Sequence, residues 1–228
     1  MAITNAILTN GFSTVNASSY NTASITPTAN RLILVSVANR IGADTATLPT
    51  LSGNGLTYVQ VATQLTGTLR RTTLFRAMGA SPTAGAVTID FGGVTQSHCV
   101  WSISEFADVD TSGTNGSGAV VQSNTSTATS VTKSTVTLSA FGTANNAAYS
   151  AMQNAADQGT TPGPGFTEIY DSAGSVSENG TTFQVQWKIN DNIASCTWTN
   201  STNVSMVACE IDSSPKTTIS KLMMMGVG

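Results

Sequence analysis

His98 and Cys99 stand side by side in QSHCVWSISEF, and His98 is the only histidine of the chain. They are the nearest approach to a nucleophile with its base. Nucleophilic catalysis needs the base within hydrogen-bond reach of the nucleophile and oriented by a third group. This stretch alternates like a β-strand, and neighbours along a strand point to opposite faces. The thiol and the imidazole therefore aim apart. No G-x-S-x-G elbow occurs anywhere. A strand-edge or loop histidine without a catalytic role is expected, and no catalytic residue is assigned.

Other chemistry is equally thin. Asp108-Val109-Asp110 places two carboxylates in a turn, where a calcium ion would need 6–8 oxygen ligands. The EF-hand glycine and terminal glutamate are missing, so a solvated turn is expected, with no metal and no cofactor. Asp90-Phe91-Gly92-Gly93 lacks the glycine-rich loop, lysine strand and catalytic loop of a kinase, and reads as a strand entering a turn. Cys99, Cys196 and Cys209 are odd in number and widely spaced, which fits neither a disulfide framework nor a zinc site. Buried free thiols are the expectation. Among twelve acidic residues no acid–aromatic cluster suggests glycoside hydrolysis.

Candidate contacts with a partner are clearer. Arg70, Arg71 and Arg76 crowd one strand of RRTTLFRAM, where guanidinium groups could pair with a partner's carboxylates. Trp101 and Trp187 lie on apolar alternating faces and read as core. Trp198, flanked by threonines, is the best exposed candidate for stacking on a sugar. The end of the sequence, KTTISKLMMMGVG, follows Pro215 and is rich in methionine, which adapts to irregular apolar gaps. Ile219, Leu222, Met223, Met224 and Met225 are expected to be covered, either by their own domain as a final strand or by a neighbouring subunit.

The elements that must position these residues are strands. Helical periodicity is nearly absent, and period-2 runs rich in Val, Ile, Thr and aromatics recur between Gly, Pro and Asn. Strands are expected at Leu32–Val37, Leu56–Ala62, Val100–Phe106, Val136–Leu138, Ala147–Met152, Thr182–Ile189, Ala194–Trp198 and Val204–Ile211. In FQVQWKI, Phe183, Val185 and Trp187 make an apolar face, with Gln184, Gln186 and Lys188 facing outward. The run RLILVSV is nearly continuously apolar, as in a strand covered on both sides. Arg70–Gly93 reads as a hairpin turning at MGASPTAG. The low-complexity stretch Asp110–Ser134 reads as a long loop containing a short strand at Ala119–Gln122. These elements sum to an all-β, two-sheet antiparallel sandwich with little or no helix. Its expected limits are residues 19–212, after an N-terminal segment 1–18 and before an apolar tail 213–228.

Composition limits the partners. Only 9% of the 228 residues are charged and the net charge is −3, against roughly 25% charged in ordinary domains. No basic cluster offers to neutralise nucleic-acid phosphates. No run reaches the roughly 20 apolar residues of a membrane helix. The first residues, MAITNAILTNGF, lack the basic and apolar regions of a signal peptide.

The segments TPTANRLILVSVANR, LPTLSGNGLTYVQVAT, RRTTLFRAMGASPTAGAVTIDFGG, CVWSISEFADVDTSGTNGSGAVVQS and VACEI carry a resemblance. Over about Ser19 to Ile211 the chain resembles a β-sandwich module of tailed-bacteriophage virion proteins and related bacterial surface proteins. The resemblance implies a jelly-roll-like fold, no catalytic residues, and a place in the virion after synthesis in the host cytoplasm. It leads us to expect a capsid decoration (cement) protein that touches the major capsid protein or other virion proteins, as a homo-oligomer. The alternative is a receptor- or carbohydrate-binding module of a tail or fibre.

Overall fold

The computed structural model describes residues 2–174 and 181–214, and among these there is no helix. Two antiparallel sheets form the centre of the molecule. The first has the order β1-β8-β3-β6-β5, built from β1 (Thr4–Ser13), β3 (Leu32–Arg40), β5 (Val59–Thr66), β6 (Arg70–Ala77) and β8 (His98–Ala107). The second has the order β11-β14-β10-β13-β12, with β9 also on β14. Its strands are β9 (Val120–Thr137), β10 (Ala147–Asn154), β11 (Thr160–Pro162), β12 (Thr167–Asp171), β13 (Thr182–Ile189) and β14 (Ile193–Ile211). The expected β-sandwich is therefore present.

Alternation decides what each face touches. Leu32, Leu34, Ala38, Leu74, Val100 and Phe106 point from the first sheet toward Tyr149, Ala151, Phe183, Val185, Val207 and Cys209 of the second. The Phe106 ring stands edge-on to Tyr149 at 5.8 Å and to Trp187 at 5.7 Å. A few hydroxyl pairs sit in this seam, such as Ser36 with Tyr149 at 2.8 Å and Thr72 with Ser205 at 2.9 Å. Such paired groups fix one register between sheets, because any slip would leave them buried without partners.

The intervening residues of the first sheet are buried as well. Ile33, Val35, Val37, Phe75, Trp101 and Ile103 pack under a small third sheet, β2-β7-β4. That sheet consists of β2 (Ser19–Asn21), β4 (Thr50–Ser52) and β7 (Thr88–Asp90). This explains the nearly continuous apolar run RLILVSV, whose strand residues are covered on both sides. It also corrects the Arg70–Gly93 hairpin. β6 and β7 lie in different sheets and pack face to face through Phe75, Val87 and Ile89. Their link is drawn off by Ile25, which pairs with Gly85, and by Asn54. The Asn54 amide donates to the carbonyls of Thr83 and Gly85, each at 3.0 Å. The SGNG turn that presents Asn54 has φ of 128°, 57° and 63° at Gly53, Asn54 and Gly55. A Cβ on Gly53 would come 2.5 Å from the Ala86 carbonyl oxygen, so glycine is required there.

A second correction concerns Asp110–Ser134. Most of it is strand. β9 runs for 18 residues and pairs along β14, which merges the two strands expected at Ala194–Trp198 and Val204–Ile211. This long ribbon folds back on itself. Asn124 and Thr137 would lie about 43 Å apart along a straight strand, yet the Asn124 amide donates to the Thr137 carbonyl at 2.9 Å. Ser126 and Ser134 likewise meet at 3.0 Å. The bend coincides with register shifts between Thr197 and Val204 and with Ser130 at φ 54°. The folded-over half brings Val136, Ala194, Cys196 and Trp198 against Ala148, Met152, Met206 and Ala208. Gln184 and Gln186 therefore do not face outward. Both are buried under this flap, and the Gln186 amide donates to the Ser195 carbonyl at 2.9 Å.

Three apolar seams result, and each holds one free cysteine: Cys209 between the main sheets, Cys99 under the small sheet, Cys196 under the flap. Residues 4–13, read from sequence as part of a preceding segment, form β1 at the edge of the first sheet. Trp101 crosses Gly11 of this strand, where an added Cβ would lie 2.7 Å from the indole.

Candidate functional site

The pairing of β3 with β8 and β6 places Arg40 opposite His98 on one side and Arg70 on the other. The three bases form one row at the end of the central seam. His98 is fully buried, on strand β8 between β1 and β3, and not at a strand edge or in a loop. Neither ring nitrogen has a hydrogen-bond partner among the described residues. Burial first, then the charges of Arg40 and Arg70, push its pKa down to about 3. An imidazole held neutral between two guanidinium groups, with no hydrogen-bonded carboxylate among the described residues to orient it, is poorly equipped as a general base. Cys99 occupies the opposite face of the strand, under the small sheet, and burial raises its thiol pKa.

The three arginines singled out from sequence do not converge. Arg71 sits on the small-sheet face and donates from Nε to the Ala46 carbonyl at 2.8 Å and from a terminal nitrogen to Thr63 at 3.1 Å. Arg70 and Arg76 share the other face, about 20 Å apart at six residues' separation. Arg70 donates to the Thr181 hydroxyl at 3.2 Å, and burial together with Arg40 lowers its pKa to about 10. Arg76 alone lines an open hollow of about 180 Å³, beside Gln60, Val61, Val121 and Gln122. β6 lies inside its sheet between β3 and β5, which is why these side chains serve internal carbonyls and hydroxyls rather than an edge.

The acidic turn is also structural. Asp108 adopts φ 60° and its carbonyl accepts from the Ser214 amide at 2.8 Å. The Asp110 carboxylate caps the Ser112 amide at 2.7 Å. Nearby, Glu210 is buried and accepts from Asn146 at 2.6 Å and from Gln122. Burial raises the pKa of Asp212, with the charges of Asp110 and Glu210 adding to the effect. Among the described residues no three His, Cys, Asp or Glu side chains gather as a metal site. A polar cleft of about 400 Å³ opens beside this turn, lined by Thr4, Asn30, Arg31, Asp108 and Ser214.

Trp198 corrects the sugar-stacking expectation. The flap buries it to 6% exposure, and its indole donates to the Val131 carbonyl at 2.9 Å. Trp198→Phe loses that bond and leaves the smaller ring short of the flap's packing, so chemical denaturation should show a loss greater than the roughly 1 kcal/mol of the bond alone. Trp187 is half-buried against the central seam, as its alternation suggested. Ile219, Leu222, Met223, Met224 and Met225 lie outside the described residues.

One surface feature was missed in the sequence. β1 pairs only with β8, and no strand among the described residues covers its outer edge. Along it Ile7 is 51% and Phe12 43% exposed, with Val15 at 67% just beyond. The segment TNAILTNGFS alternates poorly because a bulge between Ile7 and Thr9 shifts its register. The whole defines an all-β sandwich with covered outer faces, one bare apolar edge, and no assembled catalytic constellation among the described residues. Comparison with protein families, curated proteins and solved structures finds no match.

Proposed function

We propose that this chain is a non-enzymatic structural protein of a virion, a capsid decoration protein that reinforces a phage shell through contacts with the major capsid protein. The observation that carries the reading is the nature of the outer strand β9. Of its 18 residues only Lys133 is charged, and its exposed side chains are mostly Ser, Thr, Asn and Val. Short hydroxyl side chains lose little rotamer freedom when a contact forms, whereas long charged ones lose roughly 0.5–1.5 kcal/mol each. A stiff layered sandwich with such faces suits many repeated, close contacts. The sequence resemblance to virion modules supports the same direction, and the burial of Trp198 weakens the sugar-binding alternative.

The test is to mix the purified protein with shells of the source phage that lack it. Saturable co-sedimentation and a higher shell disruption temperature are expected. Arg76→Glu, which reverses the charge in the hollow beside β9, should weaken binding by about tenfold and leave the thermal melt of the free protein unchanged. Binding confined to tails or glycans, with none to shells, would overturn the reading.

A further inference from the structure

Resting on the reading of this chain as a protein that works through contacts, we infer that the hollow at Arg76 is a socket for an acidic side chain of a protein partner. The hollow, of about 180 Å³, opens where β5 and β6 of the first sheet meet β9 of the second. Over most of its length the gap between β5 and β9 is sealed by hydroxyls of β9. Thr127 donates to the Leu65 carbonyl at 3.2 Å, Thr125 to the Gln64 side chain at 2.8 Å, and Ser123 to the Val61 carbonyl at 3.3 Å. These three residues alternate along β9 and so share one face. Beyond Ser123 the seal stops, because both strands bulge. Val61 is the extra residue of β5, between the pairs Gln60–Phe75 and Ala62–Leu74. Val121 is the extra residue of β9, between the pairs Gln122–Glu210 and Val120–Ile211. A bulge bends its strand and re-aims side chains, and bulges are over-represented beside functional sites. Here two of them stand on opposite walls of one hollow.

Arg76 stands opposite Val59 in the β5–β6 register and supplies the charge of this hollow. It is half-buried, and its Nε finds no acceptor among the described residues. The one ion pair among those residues is Lys188 with Asp191, far along the second sheet. The polar side chains at the rim are engaged elsewhere: Gln122 donates to the Ser139 carbonyl and to Glu210, and Ser123 to Val61. A guanidinium partly withdrawn from water has lost hydration without gaining an acceptor. A carboxylate supplies two acceptors that match its fork and forms charge-assisted bonds to it. Val61, Val120 and the half-exposed Val121 surround that position with aliphatic surface. They fit the stem of a glutamate, or an aliphatic neighbour of an aspartate. The lining holds no aromatic ring on which the face of an acidic sugar could stack.

Arginine-detected nitrogen-15 NMR of the full chain, titrated with the peptide acetyl-Leu-Glu-Val-amide, tests this. The Nε–H signal of Arg76 should move saturably, with a dissociation constant of about 1–10 mM. The same peptide with glutamine in place of glutamate should bind at least about tenfold more weakly. Arg31, at the polar cleft, should not respond. An unmoved Arg76 signal, or equal movement at Arg31 and Arg76, overturns the proposal. So does a response to glucuronate as strong as that to the peptide, because the hollow would then be a site for acidic sugars. Shell binding is read separately. A protein that binds shells yet ignores the peptide refutes the socket alone, and one that takes the peptide yet ignores shells refutes the decoration reading alone.

Discussion

Phe106→Ala should lower the unfolding free energy by about 3–5 kcal/mol, the usual range for deleting a large ring from a packed interior. Phe106 is fully buried at the middle of the central seam. It meets the edges of Tyr149 and Trp187, and such ring pairs add about 0.5–1.5 kcal/mol beyond area burial. Its neighbours are held by β-sheet ladders on both sides and cannot collapse into the space. Urea denaturation, with the slope checked for constancy, measures the loss. The companion change Trp187→Ala should cost less than Phe106→Ala, because Trp187 is only half-buried. A midpoint for Phe106→Ala within error of the unaltered protein would show that the two main sheets do not meet as described.

The second large effect is one of pH. The folded protein keeps His98 neutral down to about pH 3, whereas an exposed histidine takes up its proton near pH 6.5. Between these values the unfolded state binds more protons, so stability falls as pH falls. The full benefit is present above about pH 6.5. It is lost at up to about 1.4 kcal/mol per pH unit, or roughly 2–3 kcal/mol between pH 6 and pH 4. Among the described residues the charges that act on the ring are Arg40 from β3 and Arg70 from β6. His98→Gln removes the titrating group, so its stability should change less over the same interval. Parallel slopes for the two proteins would mean that His98 is charged in the folded state.

The strand content of this fold was legible where one face of a strand is apolar. Thr182–Ile189 matches β13, and Val100–Phe106 falls within β8. Burial on both faces was readable in RLILVSV because five of its seven residues are apolar and they fall on both faces of the strand. The same condition went unread at Gln184 and Gln186, since the flap that covers them is lined by backbone groups such as the Ser195 carbonyl. β9 was read at its two ends, Ala119–Gln122 and Val136–Leu138, and its middle was hidden for a related reason. Its hydroxyl-rich sequence is polar on both faces, so alternation carries no signal there. The Arg70–Gly93 hairpin failed because pattern shows which residues share a face and not whether two strands pair edge to edge or stack. His98 was misjudged as peripheral because nothing local reveals that Arg40 and Arg70 flank it. Those neighbours come from register between strands distant in sequence.

The distribution of the thiols has a practical meaning. Alkylation and disulfide exchange require the thiolate, and burial suppresses it at all three positions, with Cys196 pushed up to about 12. A closed molecule is thus indifferent to the oxidising or reducing character of its surroundings. Each thiol becomes reactive only when its own layer separates: Cys99 with the small sheet, Cys196 with the flap, Cys209 with the central pair. The chain carries three built-in chemical clocks, and the order in which a mild alkylating agent marks them is the order in which the layers come apart.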